Sequence, residues 1–85
     1  MASYSVRIRR SAAREVEALP LKDRRRVVAK IEALAANPWP VGCEKLSGEE
    51  KYRIRQGNYR ILYQIMDQEL IVTVVRVGNR RGVYR

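Results

Sequence analysis

Residues 52 to 77 leave the fold little choice. "YRIR", "YRILYQIM" and "LIVTVVRVG" are three strand-like runs with turn signals between them, and Gly57-Asn58 separates the first two. With a two-residue turn there, Gln56 pairs with Tyr59, Arg55 with Arg60, Ile54 with Ile61 and Arg53 with Leu62. A three-residue loop would pair Ile54 with Arg60 and mix charge into the buried face, so parity selects the shorter turn. Tyr52, Ile54, Tyr59, Ile61, Tyr63 and Ile65 then point toward the core, while Arg53, Arg55 and Arg60 gather on the opposite face. Like charges directly opposite one another destabilise a sheet by roughly 0.2 to 1 kcal/mol. Packing gives no reason to set Arg55 across from Arg60; a bound anion does.

The remaining segments supply what covers the apolar face. "YSVRIR" alternates Tyr4, Val6 and Ile8 against Ser5, Arg7 and Arg9, the period of a half-buried strand. Ser11 is the expected N-cap of a helix, "AAREVEAL", that Pro20 ends. "KDRRRVVAKIEALAAN" places Val27, Val28, Ile31, Leu34 and Ala35 on one helical stripe and turns Arg24, Arg25, Arg26 and Lys30 mostly to solvent. "NPWPVG" reads as an extended connector with Trp39 pinned against the core. Asp67 and Gln68 are expected to form the next turn, so that Leu70, Val72 and Val74 face the helices while Ile71, Thr73, Val75 and Val77 face away. Apolar on both sides, this last strand reads as central. The order strand, helix, helix, three strands specifies an α+β fold, an antiparallel sheet with two helices on one face. A chain of 85 residues buries about 60% of its unfolded surface or a little more, so a single domain over 1–85 is expected.

Charge narrows the function. Lys and Arg number 18 against 9 Asp and Glu, a formal net charge of +9, which favours a polyanion such as nucleic acid, or an acidic protein. Cys43 is the only cysteine and there is no histidine, so the chain has neither an intramolecular disulfide nor a zinc-ligand set, and no cofactor or metal is expected. "MASYSVRIRR" lacks an apolar signal core and no run approaches the ~18 apolar residues of a membrane span. A soluble, cytoplasmic protein without membrane contact is the expectation.

"VGNRRGVYR" follows the last strand and brings Arg80, Arg81, Tyr84 and Arg85 toward the hairpin arginines. With no Ser-His or Cys-His pair and no Gly-rich phosphate loop, acyl transfer and redox chemistry are poorly served. Phosphodiester chemistry fits better. Cleavage of RNA by a 2'-hydroxyl attacking the adjacent phosphate needs a base, cations for the charge that builds on phosphorus, and a proton for the leaving 5'-oxygen. Arginine supplies the cations, since its planar fork matches two phosphate oxygens at once. It does not supply the base, because it stays protonated in proteins. Tyr84 is the nearest candidate, its reference pKa of about 10 lowered by surrounding positive charge; Lys45, Lys51, Glu49 and Glu50 are alternatives. The residues alone describe a nucleic-acid-binding site, either catalytically silent or with slow nuclease chemistry.

"KLSGEEKYRIRQGNYRILYQIMDQELIVTVVRVGNRRGVYR", preceded by one strand and two helices, resembles the RelE toxins of type II toxin-antitoxin pairs. The resemblance spans nearly the whole chain, with "YRIR", "GNYRILYQI" and "VGNRRGVYR" in the family's order and spacing. It implies a ribosome-dependent endoribonuclease that enters the A site and cuts the mRNA there. It also implies a cognate antitoxin, RelB-like or of another type II kind, that covers this surface and carries the pair to operator DNA. Arg53 and Arg55 stand where the family often has two lysines, Arg60 matches the arginine after the hairpin turn, Arg80 that after the last strand, and Tyr84 the C-terminal tyrosine. These positions are implied to activate the 2'-hydroxyl, stabilise the phosphate and stack on a base, with Lys45, Lys51, Arg81 and Arg85 contacting RNA or ribosome. Arginine at 53 and 55 keeps the charge and loses groups able to transfer a proton. Asn79 stands where many relatives carry histidine. A ribosome that positions the substrate can supply about 7 to 11 kcal/mol of the barrier and so compensate. ParE toxins look similar in fold but inhibit DNA gyrase as protein ligands. They generally lack the full arginine and tyrosine set, so Arg60, Arg80 and Tyr84 favour the nuclease.

Overall fold

A computed structural model describes residues 3–46 and 50–79. Its elements are β1 (Ser5–Ile8), α1 (Arg10–Glu17), α2 (Leu21–Ala33), β2 (Glu44–Lys45), β3 (Lys51–Gln56), β4 (Tyr59–Met66) and β5 (Ile71–Asn79). They form one sheet in the order β1-β5-β4-β3-β2. The β3–β4 register is the one that parity requires: Gln56 pairs with Tyr59, Arg55 with Arg60, Ile54 with Ile61 and Arg53 with Leu62. Gly57 takes φ +61° at the first central position of the turn, where a left-handed conformation lets the turn follow the twist of its strands. One face of the sheet buries Tyr52, Ile54, Ile61, Tyr63, Ile65, Val72, Val74 and Val77 against Ala12 and Val16 of α1 and Val27 and Ile31 of α2, with Leu34 just beyond α2. Two helices on one face of the sheet is the expected α+β architecture.

Several local features differ from the sequence expectation, each for a physical reason. β1 joins the edge of β5 in parallel, Ser5 against Ile71 through Ile8 against Val74, because the two helices cross over between them. β5 therefore lies between β1 and β4 and is internal, as its apolar faces require. A fifth strand, β2, pairs only Glu44 with Arg53 and Lys45 with Tyr52, too short to leave a periodic signal. Ser11 is not an N-cap. Arg9 occupies that position at φ −61° and ψ 150°, and its N–H still donates to the Val74 carbonyl at 3.0 Å, so α1 starts directly off the sheet.

The turn between β4 and β5 spans four residues rather than two, because Met66 already pairs with Ile71. Leu70 sits there at φ +56°, the one non-glycine with positive φ among the described residues, and is 38% exposed rather than turned to the helices. Farther along, Tyr63 pairs with Val74 but Leu62 with Arg76, so Val75 is the extra residue of a β-bulge. The bulge reverses the alternation and carries Val77, expected to face away from the helices, into the core. Trp39 is 43% exposed and meets the Tyr4 ring edge-on at 6.0 Å. Pro38 takes the buried place instead, its carbonyl accepting the Tyr63 hydroxyl at 2.7 Å. Arg24 is not simply solvated: its Nη2 donates to the carbonyls of Glu17 and Leu19 at the end of α1, at 3.3 and 3.4 Å.

β1 ends opposite Val74, which leaves the rest of that β5 edge to α1. Glu15 closes it: its Oε1 accepts the Val77 N–H at 2.8 Å, and its Oε2 meets Arg76 Nε at 3.3 Å. No described helix is long and apolar enough to cross a membrane.

An arginine-lined sheet face as candidate nucleic-acid interface

The face turned away from the helices is organised in rows that the register sets. Across one row run Glu44, Arg53, Leu62 and Arg76; across the next, Arg55, Arg60 and Gly78. Directly opposed residues in an antiparallel pair hold their Cβ atoms about 4.5 to 5.5 Å apart. Arg55 and Arg60 are thus neighbours by construction. Gly78 adds no side chain of its own beside Arg60. Lys51 lies on the same face, opposite Gln64 and two positions from Arg53.

Glu15 takes Arg76 at one end of the first row, and among the described residues the carboxylate that enters the hairpin arginines is that of Glu44. Arg53 Nε donates to Glu44 Oε1 at 3.0 Å, and Arg53 Nη2 closes on the same oxygen. The hydrogen bond from Arg53 and its charge hold the Glu44 carboxyl below its ordinary pKa, against an opposing effect of desolvation; Arg55 and Arg60 lower it further, each by less and by charge alone. All three arginines therefore act on one point. The Arg53 side chain is 15% exposed and the Glu44 side chain 60%. Beside them a cleft of about 430 Å³ opens at the β3 edge, lined by Lys30, Cys43, Glu44, Arg53 and Arg55 among others. Lys30, expected on a solvated helix face, thus reaches the same site.

The other predicted residues separate into groups. Lys45 pairs with Tyr52, on the face of the sheet away from the arginines, and its Nζ meets Glu50 Oε1 at 3.2 Å. That contact raises the Lys45 pKa, mainly by the hydrogen bond from Nζ and then by the Glu50 charge, and so keeps the amine protonated and unable to take up a proton. Glu50 also accepts the Tyr52 hydroxyl at 3.2 Å. Tyr59 fixes the hairpin tip to α2 by donating to Asp23 Oδ2 at 2.8 Å, a bond that raises its own pKa, with burial adding to the effect. Glu49, Arg80, Arg81, Tyr84 and Arg85 lie outside the described residues. The strand that leads to the last four runs past Arg60 at Gly78.

Glu44 is the site residue that sequence reasoning missed. Its place opposite Arg53 follows from β2, and two residues carry no alternation from which β2 can be read. Among the described residues no group of three or more His, Cys, Asp or Glu side chains gathers to hold a metal ion. The face as described offers clustered guanidinium forks with the exposed carboxylate of Glu44 on Arg53, an arrangement suited to phosphate.

Residues 6–84 match the family model described as the ParE toxin of the type II toxin-antitoxin system parDE. Toxin RelG of Mycobacterium tuberculosis is 34% identical over 86 residues, which cover 96% of this chain and 97% of RelG. Among solved structures, a chain of the toxin-antitoxin complex RelBE2 of M. tuberculosis superposes with a TM-score of 0.83 at 31% identity, covering 94% of each chain. A chain of the RelE-RelB complex of Pyrococcus horikoshii superposes with a TM-score of 0.84 at 24% identity, covering 95% of this chain and 99% of its own, and shares the fold.

Proposed function

The chain belongs to the ParE toxin family of type II toxin-antitoxin systems, and on that premise we propose that it is a RelE-type endoribonuclease that cuts mRNA in the ribosomal A site. The observation that carries this reading is the directly opposed pair Arg55 and Arg60 on a sheet face, beside Gly78 and the strand leading to Arg80 and Tyr84. In the reaction the 2'-oxygen bonds to phosphorus and the bond from phosphorus to the 5'-oxygen breaks, leaving a cyclic phosphate and a 5'-hydroxyl. Arg53, Arg55, Arg60 and Arg80 stabilise the charge that gathers on the phosphoryl oxygens. Tyr84 is the candidate for proton transfer and base stacking. Lys51, Arg81 and Arg85 contact the surrounding RNA. Lys45, on the other face and engaged by Glu50, contributes to ribosome docking rather than to the phosphate site.

The ribosome supplies the orientation that so basic a site cannot, which makes free RNA a poor substrate. Ribosome and mRNA place the protein in the cytoplasm. Its partner in the resting cell is a cognate antitoxin, supported by the RelE-RelB and RelBE2 complexes among the structural relatives. Contact with operator DNA runs through that antitoxin.

The test is translation of a defined mRNA in a purified system, with cuts mapped by primer extension. Codon-spaced cuts that require ribosomes are expected. Arg60→Ala lowers the cleavage rate by about 10² to 10³, the scale of losing one charge-stabilising donor group, and Arg60→Lys restores only part of it because the fork is lost. The ParE description of the matching family favours a second reading, inhibition of DNA gyrase by protein contact. Uncut mRNA together with inhibited supercoiling would replace the nuclease with that reading.

A further inference from the structure

We propose that Glu44 is an internal competitor for phosphate: its carboxylate occupies the Arg53 fork in the free protein and is exchanged for a phosphate oxygen when RNA binds. The inference rests on the reading of this face as an RNA site, and it assigns Glu44 the setting of affinity and salt sensitivity there.

Geometry gives the exchange its direction. Arg53 belongs to β3, which is paired on both sides at this position, and its side chain is largely covered. Glu44 sits on a two-residue edge strand, and its side chain is mostly in solvent. The guanidinium is therefore fixed while the carboxylate is free to swing away. Two nitrogens of Arg53 already converge on one carboxylate oxygen, so the same N–H groups face the place that a phosphate oxygen would take. Among the described residues, Glu44 is the acid carried by the strands in the rows of Arg53, Arg55, Arg60 and Lys51, and it draws on the charge of Arg55 and Arg60 as well. An incoming phosphate experiences the same field with more negative charge. The exchange has a counterion signature. When phosphate takes Arg53, the released carboxylate recruits a cation, which cancels one of the cations that the phosphate gives up.

The experiment measures binding of a single-stranded oligoribonucleotide by fluorescence anisotropy over a range of salt, without ribosomes, for wild type, Glu44→Gln and Glu50→Gln. Glu50→Gln removes the same unit of charge from the Lys45 pair on the other face. Glu44→Gln is expected to tighten binding about two- to fivefold, the range open to so exposed an ion pair. It should also steepen the salt slope by about 0.7, one further phosphate neutralised on a single strand. Glu50→Gln should leave the slope unchanged. In an Arg53→Ala background the effect of Glu44→Gln should vanish, because the fork for which the anions compete is gone. Equal behaviour of the two glutamine variants, or a Glu44→Gln effect that survives Arg53→Ala, overturns the proposal and reduces Glu44 to a contributor to net charge. Cleavage is read separately in the translation assay. Ribosome-dependent cuts with an unresponsive Glu44 defeat the exchange alone, whereas a responsive Glu44 without cuts defeats the nuclease alone.

Discussion

Arg55 faces Arg60 across the β3–β4 ladder while Arg53, one row away, is engaged by Glu44. The repulsion within the cluster is thus partly compensated by the Glu44 carboxylate on a neighbouring strand. This gives Glu44 a measurable signature. In a carboxyl-detected NMR titration of the free protein its midpoint falls below the ordinary glutamate value, and Arg53→Ala moves it back up, since Arg53 is the largest cause of the shift. The sign for stability follows from linkage. A carboxyl whose native pKa is depressed binds fewer protons folded than unfolded, so its contribution is complete above the unfolded value of about 4.3 and is lost as pH falls through the lower native one. A midpoint in Arg53→Ala equal to that of wild type would mean that the ion pair does not persist in solution. At this scale the sequence was half legible. Parity placed Arg53, Arg55 and Arg60 together because a two-residue turn admits one register. The partner of Arg53 was hidden, because a contact across an unpredicted strand leaves no periodic trace.

Strand β5 shows how an element can depart from its own pattern and gain by it. Strict alternation would turn Val77 outward; the bulge at Val75 turns it inward and presents Gly78 beside Arg60. Nothing in "LIVTVVRVG" marks Val75 as the extra residue, because the segment is apolar on both faces and either phase would bury a valine. Past the bulge, β5 has lost β1 as a neighbour, and Glu15 of α1 satisfies the Val77 N–H instead. Glu15→Ala removes the acceptor from a largely covered donor and frees a strand edge. The expected cost is about 1 to 3 kcal/mol, read as a lower denaturant midpoint with unchanged slope. Glu15→Gln, whose amide oxygen can still accept, should recover most of the loss. If both variants unfold like wild type, water satisfies this edge and the carboxylate is incidental. The helices were easier to read than this edge, since the stripe of Val27, Ile31 and Leu34 repeats at helical spacing. The N-terminus of α1 was not, because its first turn leans on the sheet rather than on a Ser11 cap.

For the whole molecule, the α+β plan was legible because the chain changes period twice, from alternating to helical after residue 9 and back to alternating near residue 50. What the pattern does not specify is which strands become neighbours when they are far apart in sequence. The parallel pairing of β1 with β5 joins residues 5–8 to 71–74 across almost everything between them. Such non-local pairing must meet its loop-closure entropy before any contact rewards it, which places refolding in the millisecond-to-second range rather than the microseconds of local helical folds. Stopped-flow refolding of wild type is expected to show this. A chain cut after residue 70 should lack cooperative unfolding altogether, since both β1 and β4 lose the strand that lies between them. A cooperative transition in the shortened chain would show that β3, β4 and the helices hold together alone.

The same pairing has a meaning for how the protein is made. While a ribosome is still adding residues 71–79, β1 has no partner and the row that Arg60 shares with Gly78 is unfinished. The hairpin can gather Arg53, Arg55 and Arg60 by itself, but the row is complete only once β5 has joined β4. The strand that completes the arginine row is thus the last of the described strands to be made, and β1 waits on it for its neighbour in the sheet.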